Sequence, residues 1–178
     1  TQAEIHEICL VHAASNGGYV ISEEGTQVGE GWPAGAEVAS IVAARYIPWV
    51  EFSGHDLRFN AKAVEERMEF EVNGITITGQ PDLIMWDEIL NEHGILDHKS
   101  VASLDALRPG DFQLITYAWL YWKTTGIVAG WAGHNQLKRN KQTAKAKPPF
   151  YDRKTITITL EILEQHDRLI DSLTKEIA

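Results

Sequence analysis

Two short runs in this sequence hold residues that could do chemistry together: Gly-Gln-Pro-Asp at 79–82 and Asp-His-Lys at 97–99. Alternate residues of a β-strand point to the same face, so a strand at the second run would direct Asp97 and Lys99 to one face. The alternation before Asp82 puts that carboxylate on the polar side of its own strand. Two carboxylates and an ammonium group on adjacent strands can hold a divalent cation and polarise a water molecule.

The residues that precede Asp82 predict how it is presented. Asn-Gly at 73–74 is a strong signal for a two-residue hairpin turn, with strands over 68–73 and 75–85. Proline cannot donate to a sheet ladder, so we expect regular pairing to end at Pro81, immediately before Asp82. Carboxylates brought together repel, and a bound cation removes that repulsion. An all-oxygen site of this kind suits Mg²⁺ or Mn²⁺ rather than zinc.

A helix after the second run adds two polar side chains. Asp111 is an N-cap residue type and Gly126 a typical terminator, which predicts a helix over 111–124. Gln113 and Tyr117 are four residues apart and therefore share a face of this helix. The apolar residues expected to face the sheet from it are Phe112, Ile115 and Trp119.

The rest of the chain alternates helical and strand patterns. Helices are predicted over 2–14, 34–47, about 58–66 and 160–177, and further strands over 94–99, 127–132, 134–138 and 155–159. The last helix is amphipathic, with Leu163, Ile170, Leu173 and Ile177 expected to point inward. The order of the core is therefore helix, three-stranded meander, helix and strand.

These runs resemble the motifs of the PD-(D/E)XK nuclease superfamily, in particular its RecB-like and phage-exonuclease branch. Pro81-Asp82 resembles the PD element, Asp97-His98-Lys99 the (D/E)XK element, and the Gln113 to Tyr117 segment the Q-x-x-x-Y motif. The motifs extend over roughly residues 35–137. The resemblance implies an α/β fold with a restriction-endonuclease-like core, in which a central mixed β-sheet is flanked by helices in the order α-β-β-β-α-β.

The resemblance also implies roles for these residues. Asp82 and Asp97 would ligate Mg²⁺ or Mn²⁺, with the backbone carbonyl of His98 as an additional ligand. Lys99 would position or polarise the attacking water. The roles implied for Gln113 and Tyr117 are to steady the site or the DNA end.

Nucleases of this type usually take one more ligand from a helix ahead of the first strand. Glu37 is the first choice, because it lies where the predicted helix 34–47 begins. The alternatives that the sequence leaves open are His6, Glu7, Glu65, Glu66 and Glu71.

Positive charge is concentrated in one segment of an otherwise acidic chain. The net charge is −9, yet residues 138–154 hold seven basic residues and one acid. Affinity for nucleic acid comes mostly from neutralisation of phosphates by lysine and arginine, so we expect this segment to contact DNA from a loop between two strands. The candidate contacts are Lys138, Arg139, Lys141, Lys145 and Lys147.

Composition limits the architecture and the cofactors. At 178 residues and 44% hydrophobic content, the sequence predicts a single domain over 1–178, with an N-terminal helix and irregular segment over 1–33 and a nuclease core over 34–178. A single cysteine provides neither a disulfide nor an iron–sulfur cluster. With no apolar run of about 18 residues and no signal peptide, we expect a cytoplasmic protein of a bacterium or a phage-infected cell that binds no membrane.

The sequence therefore predicts a metal-dependent deoxyribonuclease. We expect an exonuclease of phage or recombination and repair type that acts on linear double- or single-stranded DNA, with a second copy or a recombination protein as candidate partners. One alternative is a non-catalytic nucleic-acid-binding or assembly module on the same fold. Another is a structure-specific or CRISPR-adaptation-type endonuclease.

Overall fold

The computed structural model describes residues 20–22, 25–27, 46, 48–52, 56–104, 108, 110–138 and 147–177. The chain divides into two compact units. One comprises Thr1–His55, Ser100–Ser103 and Leu137–Tyr151, and the other comprises Asp56–Lys99, Leu104–Gln136 and Asp152–Ala178. The second unit contains the two aspartates and the lysine of the motifs.

Nine strands and two long helices have defined bounds within the described residues. The strands are β1 (Val20–Ser22), β2 (Gly25–Gln27), β3 (Phe59–Val64), β4 (Met68–Val72), β5 (Ile75–Gly79), β6 (Leu83–Asp87), β7 (Glu92–Val101), β8 (Trp131–Lys138) and β9 (Tyr151–Thr157). The helices are α1 (Phe112–Thr125) and α2 (Leu160–Ile177).

Five strands form one mixed sheet in the order β3-β6-β7-β8-β9. β3 and β7 both pair antiparallel with β6. Side-chain partners in β7 and β8 keep a constant separation of 37 residues, so these strands run parallel. Helix α1 makes the crossover that parallel neighbours require. β9 returns antiparallel to β8, and the predicted α/β architecture with a central mixed sheet is confirmed.

The predicted hairpin at residues 73–74 is also present, as the turn between β4 and β5. Asn73 and Gly74 have φ angles of 52° and 77°. Positive φ at both positions is the mark of a type I′ turn, whose twist matches that of the two strands. The β4–β5 ribbon forms a sheet of its own and packs against α1 and α2.

Helix α1 begins and ends where its capping residues predict. The Asp111 Oδ1 atom accepts a hydrogen bond from the Leu114 N–H at 3.0 Å, and Gly126 ends the helix with φ 76°. The Trp119 side chain is fully buried. Phe112, expected to face the sheet, is instead 53% exposed, because at the first helical position its ring lies beside the His166 ring of α2.

The central strands β6 and β7 are buried on both faces. Ile84 and Ile95 belong to a core cluster with residues of α1 and α2, whereas their neighbours Met85 and Leu96 join Trp131 in a second cluster. Consecutive residues that enter different cores appear in the sequence as a continuous apolar run. Packing on both faces holds these strands, and hence the residues at their ends, in place.

The helix predicted at about 58–66 is wrong. This segment is strand β3, an outer strand of the sheet that pairs with β6 and shifts register between Ala61 and Ala63. Alanine and lysine favour a helix, but an isolated helix of this length is marginal in water. Pairing satisfies the backbone groups of β6, which explains why the tertiary contact prevails over local preference.

Other strand boundaries differ from those predicted. The strand expected over 75–85 is two strands, β5 and β6, which belong to different sheets and are separated at Pro81. The strands expected over 127–132 and 134–138 are one strand, β8. The strand expected over 155–159 begins and ends earlier, as β9.

Helix α2 has the predicted bounds but a different inner face. Its buried residues are Leu163, His166, Ile170 and Thr174. Leu173 and Ile177 are 39% and 76% exposed, so the prediction that they point inward is wrong. The buried face of the helix instead includes two polar side chains that have hydrogen-bonding partners. His166 Nε2 lies 3.0 Å from Thr116 Oγ1, and Thr174 Oγ1 accepts from Asn73 Nδ2 at 2.9 Å.

The predicted helix 2–14 and most of the predicted helix 34–47 lie outside the described residues. Residue 46 and residues 48–52 are helical. Tyr46, Trp49 and Tyr151 form an aromatic group with ring centroids 5.7 Å apart. Among the helical residues that the structure describes, no helix is long and apolar enough to cross a membrane.

Acidification should destabilise the fold partly through His166. Burial lowers the pKa of this imidazole below its usual 6.5, although nearby Asp167 acts in the opposite direction. The unfolded chain then binds a proton more readily than the folded chain, so stability present above pH 6.5 is lost as the pH falls below it. We expect a smaller loss of unfolding free energy between about pH 8 and about pH 5 in His166→Gln than in the wild type. Chemical denaturation measures both, and equal losses would contradict this role.

Candidate active site

Asp97 and Lys99 form an ion pair on one face of β7. The Lys99 Nζ atom lies 2.7 Å from Asp97 Oδ2, and the two side chains are 36% and 7% exposed. A buried carboxylate requires a charged or hydrogen-bonding partner, because burial removes its hydration. Lys99 therefore lies between a buried acid and the solvent.

A histidine that the motifs did not indicate is the second partner of Asp97. The Nδ1 atom of His134, on β8, lies 3.1 Å from Asp97 Oδ2. Its Nε2 atom lies 3.5 Å from Asp111 Oδ2, at the start of α1. A row of four charged or polar side chains thus runs from Lys99 to Asp111. The only hint of it in the sequence is a polar residue at an inward-facing position of a buried strand.

The protonation of Asp97 follows from its neighbours. Burial raises the pKa of this carboxyl, but hydrogen bonds from His134 and Lys99 and the positive charges of both lower it, and the net pKa is below its usual value. Asp97 is therefore ionised at neutral pH and can only accept hydrogen bonds. The proton between Asp97 and His134 consequently belongs to His134 Nδ1.

Asp82 lies beside Asp97 at the end of the β6–β7 ladder. Leu83 pairs with Leu96, and the next step of the same register places Asp82 opposite Asp97. The Asp82 Oδ2 atom accepts a hydrogen bond from the His98 backbone N–H. Regular pairing stops at Pro81, as expected, which frees the carboxylate to turn toward the neighbouring strand.

Gln113 and Tyr117 share a face of α1 and bond to each other. Gln113 Nε2 donates to the Tyr117 hydroxyl at 2.7 Å. The Tyr117 ring packs over Gly79, where an added Cβ would meet Tyr117 Cδ1 at 2.9 Å and Leu120 Cδ1 at 2.7 Å. Because Gly79 ends the strand before Asp82, the glycine lets this helix approach the segment that presents the carboxylate.

His98 points to the opposite face of β7 from Asp97. Its Nδ1 atom lies 3.2 Å from Asn135 Nδ2, and Asn135 Oδ1 accepts from Arg153 Nε at 2.6 Å. Arg153 also pairs with Asp56 and is only 7% exposed. This arginine belongs to the basic segment of the sequence, but it is an internal structural group. Lys154 of the same segment is paired with Asp152 at 2.7 Å.

The candidate ligands that the structure describes do not join these carboxylates. Within the part of the chain that the structure describes, no three His, Cys, Asp or Glu side chains come together as a metal site. Glu65, Glu66 and Glu71 are exposed. The preferred candidate Glu37 and the alternatives His6 and Glu7 lie outside the described residues.

The structure describes two of the five candidate DNA contacts. Lys138 is half-buried at the end of β8 and Lys147 is exposed. Arg139, Lys141 and Lys145 lie outside the described residues.

Comparisons with known proteins agree with this fold and these motifs. The sequence matches the PD-(D/E)XK nuclease superfamily over residues 16–178, and the chain belongs to that superfamily. Among solved structures, a protein of Eubacterium rectale provisionally named an exonuclease superposes with a TM-score of 0.51 at 16% identity. That likeness covers 89% of this chain and 56% of the other, so this chain spans little more than half of its length.

A second solved structure is less similar. The structure of SSO0001 superposes with a TM-score of 0.31 at 16% sequence identity. The likeness covers 74% of this chain and 59% of the other. No curated protein matches the sequence. The Eubacterium rectale protein supports the fold, and the superfamily match establishes the family.

Replacement of Gly79 by alanine should disturb the Tyr117 side of the site. The added methyl group would overlap Leu120 and Tyr117, and overpacking of this kind costs about 1–3 kcal/mol. Gly110→Ala is the matched control, because apart from its chain neighbours no described residue has an atom within 4 Å of its Cβ position. Denaturant unfolding of both variants measures the cost. A Gly79→Ala variant as stable as Gly110→Ala would show that Tyr117 is not held against this glycine.

Proposed function

We propose that this chain is a divalent-metal-dependent nuclease that hydrolyses phosphodiester bonds of DNA, and that it is an exonuclease of phage or recombination and repair type. The observation that carries the proposal is the Asp97–Lys99 ion pair of 2.7 Å, with Asp82 in the adjacent register position. Membership of the superfamily supports the reaction class, and the provisional exonuclease assignment of the Eubacterium rectale protein supports the finer one.

The donor set fits Mg²⁺ or Mn²⁺. The carboxylates of Asp82 and Asp97 and the backbone carbonyl of His98 would hold the ion, and all three offer the oxygen atoms that these cations prefer. Glu37 remains the proposed source of a further ligand. When bound, the cation supplies a water molecule of lowered pKa and neutralises charge on the phosphate oxygens.

The side chains of the site have separate roles in the proposed reaction. Lys99 lies partly exposed beside Asp97. In this proposal it orients the attacking water and stabilises negative charge as the bond to phosphorus forms. Asp97, ionised at neutral pH, keeps that ammonium in place. Gln113 and Tyr117 act as one hydrogen-bonded pair that steadies the site or the DNA end.

Lys99→Ala should abolish cleavage while the fold survives. Loss of one group that stabilises transition-state charge costs on the order of 100- to 1,000-fold in kcat. Lys175→Ala is the matched control, since Lys175 also pairs with an aspartate at 2.7 Å but is exposed on α2. The assay uses linear double-stranded, linear single-stranded and closed circular DNA with Mg²⁺, Mn²⁺ or EDTA, and thermal unfolding checks the fold.

The outcomes separate the competing functions. Cation-dependent loss of linear DNA alone, absent in Lys99→Ala and kept in Lys175→Ala, is expected for an exonuclease. Cleavage of the closed circle would identify an endonuclease, because a circle has no ends. No loss of any substrate would favour a non-catalytic binding or assembly module.

The basic segment should act through phosphate contacts. We expect the double variant Lys138→Gln, Lys147→Gln to bind DNA more weakly and with a smaller dependence on salt, by about one unit of slope for each phosphate that is no longer neutralised. The matched control replaces Lys62 and Lys175, which are exposed elsewhere. Binding is measured in EDTA across a series of salt concentrations. Equal slopes in the two double variants would remove Lys138 and Lys147 from the interface.

A further inference from the structure

We propose that His134 is a positioning residue of this site: from β8, it orients the Asp97 carboxylate. The inference rests on the proposed function, since it assigns His134 a part in the same reaction. The orientation of Asp97 can be tested without any activity.

Each ring nitrogen of His134 faces a carboxylate. Nδ1 lies 3.1 Å from Asp97 Oδ2 and Nε2 lies 3.5 Å from Asp111 Oδ2, and the side chain is 8% exposed. A buried imidazole costs free energy unless its polar atoms have partners. Here both partners are acidic, and both lie on elements that carry site residues.

The contact with Asp97 restricts the carboxylate. His134 and Lys99 approach the same oxygen, Oδ2, from β8 and from β7 respectively. Two donors on one oxygen hold the plane of the carboxylate group, and the position of Oδ1 follows from it. Outer partners of metal-binding side chains act in this way, by fixing the orientation of the group that binds.

His134 also lies beside the start of α1. One carboxylate oxygen of Asp111 caps the helix by accepting from the Leu114 N–H, and the other faces His134. The imidazole that contacts Asp97 therefore lies 3.5 Å from the residue that caps α1. Gln113 lies two residues into the capped helix and bonds to Tyr117, so His134 lies near both groups of proposed site residues.

Three variants separate positioning from simple packing. His134→Leu fills the space but offers no donor, so Lys99 alone would hold Asp97 Oδ2. His134→Asn places an amide N–H near the position of Nδ1 and keeps a donor for Asp97. His166→Leu is the matched control, because His166 is a histidine buried as deeply as His134 and located between α1 and α2.

Kinetics give the first readout. We expect kcat of His134→Leu on linear DNA to fall by about 10- to 100-fold with little change in KM, as for removal of an outer partner of a metal-binding side chain. His134→Asn should recover most of that activity, and His166→Leu should keep the wild-type kcat even where its thermal stability is reduced. Equal decreases in kcat in His134→Leu and His166→Leu would overturn the proposal.

Crystal structures give the second readout and do not depend on activity. We expect the Asp97 carboxylate to rotate away from its wild-type orientation in His134→Leu and to keep it in His134→Asn. An unchanged Asp97 in His134→Leu overturns the positioning role, whatever the activity. If the wild type cleaves no DNA, the proposed function fails, and the structures alone decide the role of His134. Should His134→Leu not fold, His134→Gln replaces it, because its longer amide extends past the Nδ1 position toward Asp111.

Discussion

The burial of the Asp97 carboxylate is the constraint on which the rest of the site depends. A buried ionised group persists only with charged or hydrogen-bonding partners, because burial removes its hydration. Lys99 comes from the same strand, but His134 comes from β8, which the chain reaches only after crossing through α1. The crossover that sets β8 parallel to β7 therefore also brings the second partner of Asp97 into the site.

Sequence reasoning succeeds at this site where the signals are local. The turn at 73–74, the end of pairing at Pro81 and the start of α1 at Asp111 all follow from residues within a few positions of each other. The alternation that puts Asp97 and Lys99 on one face is equally local. These signals specify how each functional group is presented, and the superfamily motifs supply the order in which the groups occur.

The features that sequence reasoning missed all depend on distant partners. His134 lies 37 residues from Asp97, and no local pattern tells which strand will lie beside β7. Arg153 has the sequence context of a basic loop, yet its partner Asp56 is 97 residues away. β3 has helix-forming residues, and only the free edge of β6 makes it a strand. Local helix or strand preference predicts secondary structure, and charge count predicts exposure, except where a long-range contact offers a larger gain in free energy.

An outer strand of a sheet exposes backbone donors and acceptors to which another molecule can add a strand of its own. Among the strands that the structure describes, β3 occupies such a position, and its register shift between Ala61 and Ala63 interrupts its row of outer backbone groups. Lys62, exposed within the shifted segment, adds a charge where a second chain would have to lie flat. The irregularity of β3 thus disfavours aggregation through strand pairing between molecules at this edge.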